Sequence, residues 1–174
     1  GIVGNYGNNN SGDEAILEGI IIQLEEVFNI ARNDITVFSN QPEQMKENYG
    51  VNASKLYFKD KNAILTALTT MKKNKPIIQE LDLLIIGGGG IFMDLYGTEA
   101  FIFGMYGWMA KRAKVPSVLY GVGAGPITTK IGKFVLKALA NSTKLVTVRD
   151  PKSKELMVKI GVTKEIHVIG DPAF

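Results

Sequence analysis

The sequence predicts an α/β fold, a doubly wound and mostly parallel Rossmann-like sheet with helices on both faces. Three observations lead to this prediction. Short apolar runs alternate with segments of helical periodicity along the whole chain. The runs are apolar at successive positions, which is typical of strands that are buried on both faces. Glycine-rich turns follow several of them, at the edge where a parallel sheet binds its ligands.

The predicted elements alternate between strand and helix. Strands are expected at residues 2–3, 35–38, 55–58, 83–86, 118–120, 145–148 and 166–169. Helices are expected at about residues 13–30, 42–49, 61–73, 101–114, 129–141 and 152–160. The first helix has Ile16, Ile20 and Leu24 on one face, the strand at 83–86 is wholly apolar, and the strand at 55–58 is weak. No repeat or linker divides these 174 residues, so we expect one domain.

Composition narrows the classes of function. Hydrophobic residues make up 45% of the chain and charged residues 21%, as in an ordinary globular domain with one core. The net charge is only +3 and the lysines are dispersed, which argues against a nucleic-acid partner. The absence of cysteine excludes disulfides and thiolate metal sites, and it suits a reducing compartment.

The opening loop, residues 4–12, joins the first strand to the first helix and nearly matches two phosphate-binding motifs. Gly7 and Gly12 have the glycine spacing of a triphosphate loop, but Asp13 and Glu14 replace the lysine and hydroxyl residue of that motif. The glycines also depart from the dinucleotide fingerprint G-x-G-x-x-G, and no ribose-binding acid follows the second strand. We therefore expect neither a nucleoside triphosphate nor a nicotinamide cofactor here.

Several unusual segments follow strands and should therefore meet at one edge of a parallel sheet. They are the opening loop, the glycines at 87–90, residues 121–126, Arg149-Asp150 and residues 170–172. Because ligands bind at this edge, the sequence predicts one shared site. The alternative is that the glycines only allow tight turns.

The same segments carry a family resemblance. They comprise Gly4-Asn5-Tyr6-Gly7, Asn10, Gly12-Asp13-Glu14-Ala15, residues 87–94, residues 120–126, Val148-Arg149-Asp150 with Ser153, and residues 170–174. In order and spacing they resemble the polysaccharide pyruvyl transferase family, most closely the branch that modifies cell-wall polysaccharide for attachment of surface-layer proteins. The resemblance implies the amino-terminal half of a two-domain, GT-B-like enzyme, whose second domain is absent from this chain.

The resemblance also implies a reaction. A pyruvyl group passes from phosphoenolpyruvate to two hydroxyls of one sugar, which forms a ketal and releases phosphate. Phosphoenolpyruvate is a substrate, and neither a cofactor nor a metal is implied. The acceptor is a sugar of a cell-surface polysaccharide or its lipid-linked precursor, which implies a cytoplasmic protein at the inner face of the membrane. The family's histidine and lysine that help to bind and protonate the donor belong to the other half, so we expect these residues alone to be inactive.

Arg149 is the predicted donor-binding residue, because it directly follows a strand and matches the family's Arg-Asp motif. The backbone of Gly88, Gly89 and Gly123 is expected to approach the same donor. The alternative for Arg149 is an ion pair with Asp150. Asp150 itself precedes a proline in the first helical turn and is expected to cap that helix.

Asp13 and Asp94 are the candidate catalytic residues, each as an acceptor for a proton of a sugar hydroxyl. Asn10 and Gly12 are the candidate acceptor-binding residues. Structural alternatives stay open for these residues: Asp13 at the start of a helix is the preferred N-cap, Asp94 stabilises its loop, and asparagines are common in turns.

Two further features of the sequence carry less information about function. His167 is the single histidine, so a histidine-rich metal site or a catalytic triad is excluded for this segment, and a packed or surface position is expected. Residues 101–110 are apolar and aromatic but shorter than the roughly 20 residues that span a bilayer. A buried helix is the expectation, and a membrane-facing or interdomain surface that serves a lipid-linked acceptor is the alternative.

Two other functions remain open from the sequence. One is a glycosyltransferase of the same architecture that uses a nucleotide-sugar donor. The other is a module that binds ligand without catalysis.

Overall fold

The computed structural model describes residues 1–8, 10–93 and 99–173. Its strands are β1 (Ile2–Val3), β2 (Thr36–Ser39), β3 (Asn52–Lys55), β4 (Leu84–Phe92), β5 (Ser117–Ala124), β6 (Leu145–Val148) and β7 (Ile166–Val168). Its helices are α1 (Ser11–Phe28), α2 (Pro42–Tyr49), α3 (Ala63–Gln79), α4 (Glu99–Ala113), α5 (Lys130–Ser142) and α6 (Pro151–Lys159). A 3₁₀ turn at Arg32–Asp34 precedes β2.

The described strands form one parallel sheet in the order β3-β2-β1-β4-β5-β6-β7. The chain therefore runs outward from β1 to β3, crosses back to β4, and runs outward again to β7. The change of direction between β1 and β4 is the switch point at which open α/β sheets bind ligands. The predicted doubly wound α/β fold is confirmed.

Each face of the sheet has its own apolar core, because neighbouring strand residues point to opposite faces. Ile2 and Ile85 pack with the apolar residues of α1 and α2. Val3 and Ile86 belong to the larger cluster, which contains buried residues of α3, α4, α5 and α6. In the described part of the chain, α1 and α2 thus cover one face, and α3 to α6 cover the other. None of the helices in the described residues is long and apolar enough to cross a membrane.

The glycines at 87–90 lie within β4, although we expected them to form a turn after a shorter strand. Pairing with β5 continues through Gly87 and Gly89, and the register shifts between Gly89 and Phe92. A Cβ atom at Gly87 would collide with the carbonyl oxygen of Tyr120 on the neighbouring strand. Glycine therefore allows two irregular strands to stay paired up to the ligand-binding edge.

Strand β5 likewise continues past its expected end at residue 120 to Ala124, and the bounds of β3 and α3 also differ from the prediction. The third strand is Asn52–Lys55 rather than residues 55–58, because it is an edge strand of exposed and half-buried, mostly polar residues without an apolar run. Helix α3 continues past the expected end at residue 73 to Gln79, with Pro76 inside it. Packing of the buried Ile78 in the core offsets the cost of this proline.

Candidate active site

The opening loop reaches the switch point and ends in an asparagine cap of α1. The Asn10 Oδ1 atom accepts a hydrogen bond from the Gly12 amide at 3.1 Å, and its Nδ2 group donates to Asp13 Oδ2 at 2.9 Å. The preferred reading of Asp13 as the N-cap is therefore wrong, since Asn10 caps the helix and Asp13 lies within its first turn. The carboxylate of Asp13 therefore has a role other than capping α1.

Asp13 is shielded at the junction of α1 and β4, where its residue is only 8% exposed. Besides Asn10, the side chain of Asn5 donates to Asp13 Oδ2 at 3.2 Å. A Cβ atom at Gly89 would lie 2.8 Å from Asp13 Oδ1. Gly89 therefore leaves the space that the carboxylate occupies, and two amide side chains orient this carboxylate.

Burial raises the pKa of Asp13 above its ordinary value. The hydrogen bonds from Asn5 and Asn10 oppose this shift, the negative charge of Glu14 adds to it, and the positive charge of Arg149 opposes it. A carboxyl group whose pKa is raised towards neutrality is suited to proton transfer, provided that a substrate reaches it.

Glu14 anchors the opening loop to α2, which sequence reasoning did not foresee. Its Oε1 atom accepts the amide of Gly7 at 2.8 Å, and its Oε2 atom accepts the hydroxyl of Tyr49 at 3.0 Å. Burial and this bond raise the pKa of Tyr49 to about 12. The pattern Asp13-Glu14, which breaks the triphosphate motif, thus provides one carboxylate for the site and one for the loop.

The β4 glycines also make room for α1. A Cβ atom at Gly88 would collide with Ile16 and approach the hydroxyl of Tyr6 to 2.9 Å. That hydroxyl donates to the carbonyl oxygen of Gly87. Close packing of the first helical turn on β4 therefore accounts for Gly88 and Gly89, and contact of their backbone with a donor remains a prediction.

Arg149 lies at the same edge, immediately after β6. A Cβ atom at Gly123 would lie 2.7 Å from Arg149 Nε, and one at Gly90 would lie 3.7 Å from Nη2. The guanidinium pairs with Asp150 and Asp171, each at 3.5 Å, and the side chain is 37% exposed. The Arg149 side chain therefore lies against Gly90 of β4 and Gly123 of β5. It also forms the ion pair with Asp150 that was the alternative to donor binding.

Asp150 has the predicted capping role. It accepts the amide of Ser153 at 2.8 Å and its hydroxyl at 2.9 Å. Burial alone would raise the pKa of Asp150, but these hydrogen bonds and the charge of Arg149 outweigh it, and the pKa is lowered. Ser153 Oγ in turn accepts the amide of Ala124, which ties α6 to the end of β5.

Three residues that the sequence singled out remain to be placed: Gly12, Asp94 and His167. Gly12 lies in the exposed first turn of α1, where an added Cβ would meet only Asn10 Oδ1, at 3.5 Å. Asp94 lies outside the described residues. His167 is exposed on β7, 3.9 Å from Glu165, as expected for a surface histidine. Within residues 1–8, 10–93 and 99–173, no three His, Cys, Asp or Glu side chains could hold a metal ion.

The apolar segment at 101–110 forms most of α4. Phe103, Tyr106 and Met109 are buried, which confirms the expected core helix. Phe101 and Trp108 are 47% and 53% exposed on its outer side.

The geometry brings Asp13, Asn10, the β4 glycines, Gly123 and Arg149 to one edge of the sheet, as the resemblance implied. A family model for polysaccharide pyruvyl transferases matches residues 10–174, which contain all of them. The chain belongs to this family. The polysaccharide pyruvyl transferases are transferases with a polysaccharide acceptor, as their name states. No curated protein sequence matches the chain.

Proposed function

We propose that this edge of the sheet transfers a pyruvyl group from phosphoenolpyruvate to two hydroxyls of one sugar in a cell-surface polysaccharide or its lipid-linked precursor. One observation carries the proposal. A partly exposed cation, Arg149, and a shielded carboxyl, Asp13, flank the consecutive glycines Gly89 and Gly90. A doubly charged donor needs the first group, and a hydroxyl nucleophile needs the second.

Arg149 is suited to bind the carboxylate or phosphate of the donor. Charge-assisted hydrogen bonds are typically about 2.7–2.9 Å long, whereas the two ion pairs of Arg149 measure 3.5 Å. Its guanidinium donors are therefore weakly engaged by Asp150 and Asp171. An oxyanion can therefore bind to both edges of the planar guanidinium group, and the protein loses only two long ion pairs in exchange.

Asp13 accepts the proton of an attacking hydroxyl in this proposal. The sugar oxygen forms a bond to C2 of the enolpyruvyl unit while C3 gains a proton, and the second hydroxyl then replaces phosphate at C2. Of the two hydroxyl protons, one balances the methyl group formed at C3 and the other leaves with phosphate. The family resemblance assigns protonation of the donor to a second domain, so we propose that this chain is the amino-terminal half of a two-domain cleft.

Calorimetry on the full-length protein tests the donor. We expect phosphoenolpyruvate to bind and Arg149→Ala to weaken that binding by about a hundredfold, since a charged hydrogen-bond pair is removed. The variant Arg112→Ala, a change of the same kind at an exposed position of α4, should bind phosphoenolpyruvate as the unchanged protein does. Tight binding of uridine diphosphate without phosphoenolpyruvate would identify a nucleotide-sugar glycosyltransferase instead. Donor binding without phosphate release in the presence of acceptor would leave a binding module.

We also propose that the outer surface of α3, α4 and α5 contacts an anionic bilayer, where a lipid-linked acceptor resides. Helices α3 and α5 contain six lysines and no acidic residue, whereas α1 on the opposite face contains five acidic residues and no basic one. Exposed apolar side chains accompany the lysines: Phe101, Trp108, Ile131 and Phe134. Basic and aromatic residues on one surface suit anionic headgroups and the acyl boundary.

Vesicle sedimentation tests this contact. The double variant Trp108→Ser, Phe134→Ser should lower the affinity for phosphatidylglycerol vesicles at least about tenfold. The reason is that it removes two large apolar side chains from the acyl boundary of the bilayer. The matched control is Val27→Ser, Phe28→Ser on α1, where both residues are exposed beside acidic residues. An equal loss in both variants, or equal binding to neutral phosphatidylcholine vesicles, would refute the contact.

A further inference from the structure

A second polar depression lies at the same edge, at the ends of β2 and β3. Its lining comes from the opening loop, from the segments after β2 and β3, and from α3: Gly7, Asn8, Asn40, Gln41, Lys55, Tyr57, Phe58, Lys59, Thr69 and Lys73. We call it the lysine pocket, after Lys55, Lys59 and Lys73. None of the three lysines is among the site residues that the sequence motifs suggested.

The lysine pocket has an unbalanced positive charge. Among the described residues, no carboxylate lies within 4.0 Å of any of its three ammonium groups. The neighbouring Asp60 is occupied by other donors, the Lys61 amide at 2.7 Å and the Thr69 hydroxyl at 2.9 Å. Three like charges around one depression repel each other, and a bound anion relieves that repulsion.

The walls of the pocket are held in place by hydrogen bonds. Gln41 donates to the carbonyl oxygen of Gly7 at 2.9 Å, and Asn40 donates to Asn8 Oδ1 at 2.9 Å. On another wall, Lys73 Nζ lies 4.2 Å from the ring centre of Phe58, which limits the freedom of this lysine. Hydrogen bonds thus hold the opening-loop side of the pocket, and one of the three cations, Lys73, lies against a ring of the pocket lining.

The opening loop is the partition between the lysine pocket and the candidate active site. Asn8 lines the pocket and donates to Asn5 Oδ1 at 2.7 Å, and Asn5 donates to Asp13 on the other side. A ligand that lies across this loop would reach both sides. One end would meet three lysines, and the other would meet Asp13.

We propose that the lysine pocket binds a phosphate or diphosphate group of the acceptor, while its sugar reaches across the opening loop to Asp13. This inference rests on the proposed function. The pocket's cations suit a multiply charged oxyanion, and its exposed aromatic ring, Tyr57, suits the attached sugar. Such a group occurs as the diphosphate of a lipid-linked glycan and as a phosphodiester within a polysaccharide.

Steady-state kinetics on the full-length protein tests the inference with three soluble acceptors. They are the sugar on a short-chain prenyl diphosphate, the sugar with a phosphodiester, and the sugar with no phosphate. The variant Lys55→Gln, Lys59→Gln, Lys73→Gln should raise KM about tenfold or more for a phosphorylated acceptor, with the effect shrinking at high salt. The KM values for phosphoenolpyruvate and for the sugar without phosphate should not change. The acceptor that shows the larger effect identifies the source of the phosphate.

The matched control is Lys152→Gln, Lys154→Gln, Lys159→Gln, which removes the same charge from exposed positions of α6. Equal effects in the two triple variants would show a general charge effect and overturn the inference. So would a rise in KM for phosphoenolpyruvate, or a rise for all three acceptors alike.

Calorimetry with inorganic diphosphate separates this inference from the proposed reaction. Binding that the Lys55, Lys59 and Lys73 substitutions abolish would support the pocket even in a protein without pyruvyl transfer activity. Active pyruvyl transfer without diphosphate binding would overturn the pocket and leave the reaction standing.

Discussion

The two sides of the opening loop differ in how their charged groups are satisfied. Towards β4, Asp13 is buried, oriented by two asparagines, and close enough to Arg149 to be affected by its charge. Towards β3, Lys55, Lys59 and Lys73 line an open depression without a carboxylate partner among the described residues. In the function that we propose, the shielded side changes its protonation state and the open side attracts the anionic acceptor. We therefore propose that one loop separates a chemical role from a binding role.

The largest expected effect comes from Asp13→Asn, which removes the proposed base and keeps the side-chain size. We expect kcat/KM for pyruvyl transfer to fall by about 10²- to 10⁴-fold, as for loss of a general base. Phosphate release measures this change. Diphosphate binding in the lysine pocket should be unchanged, which keeps the two sides distinct.

The control for this variant is Glu18→Gln, an exposed carboxylate on the same helix. Because Asp13 must be ionised to act as a base and its pKa is raised, activity of the unchanged protein should decline on the acid side at a pH above about 4, the ordinary aspartate value. An acid limb at or below that value, or an equal loss in both variants, would remove Asp13 from catalysis.

The second largest effect is expected from Gly89→Ala, which tests whether Asp13 needs a glycine at position 89 in order to lie against β4. Gly89 has a φ of +77°, and the new methyl group would lie 2.8 Å from Asp13 Oδ1. We expect a loss of about 1–3 kcal/mol in the free energy of unfolding, measured by chemical denaturation, together with reduced activity.

Gly12→Ala is the matched control, because its Cβ would meet nothing closer than 3.5 Å. Its free energy of unfolding should change by less than about 0.5 kcal/mol. If both alanine variants unfolded with the same free energy, the close approach of Asp13 to β4 would not restrict position 89 to glycine.

The smallest effect is expected from Tyr49→Phe, which loosens the loop that both sides share. Loss of its hydrogen bond to Glu14 should lower the free energy of unfolding by about 1 kcal/mol. Since the pKa of Tyr49 is raised to about 12, the contribution of its neutral hydroxyl should persist to about pH 10 and be lost as the pH rises towards 12.

Tyr57→Phe in the lysine pocket is the control, since no hydrogen bond from its hydroxyl is present within the described part of the chain. Denaturation at pH 7 and pH 11 should show a pH-dependent difference for Tyr49→Phe alone. A difference that is the same at both pH values would contradict the role of the Tyr49 hydroxyl.

Most of the fold was predictable because burial imposes local patterns. The predicted bounds of α2 and β6 agree with Pro42–Tyr49 and Leu145–Val148, and the family and the sheet type were also predicted. The edge strand β3 was misplaced since its residues pack little and therefore need no apolar run. The bounds of β4 were wrong because glycine, which weakens isolated strands, is required there by a neighbouring backbone and by α1.

The candidate site divides in the same way. Arg149 and Asp150 were predictable from a strand end and a helix start, which are local features. The N-cap of α1 could not be predicted in this way, and Asn10 caps the helix in place of the expected Asp13. Two or three residues at a helix start can each cap it, and the path of the loop decides between them.

By itself, the sequence determined the order of strands and helices, the apolar character of the central strands, and which segments follow the strands, since these depend on neighbours along the chain. The tertiary structure alone decided that Asp13 lies against Gly89 and that Lys55, Lys59 and Lys73 surround one depression beside Gly7. It also decided the raised pKa of Asp13. Burial and charge act through space, and Asp13 lies tens of positions from Gly89, as Gly7 does from Lys55, so no local pattern records these contacts.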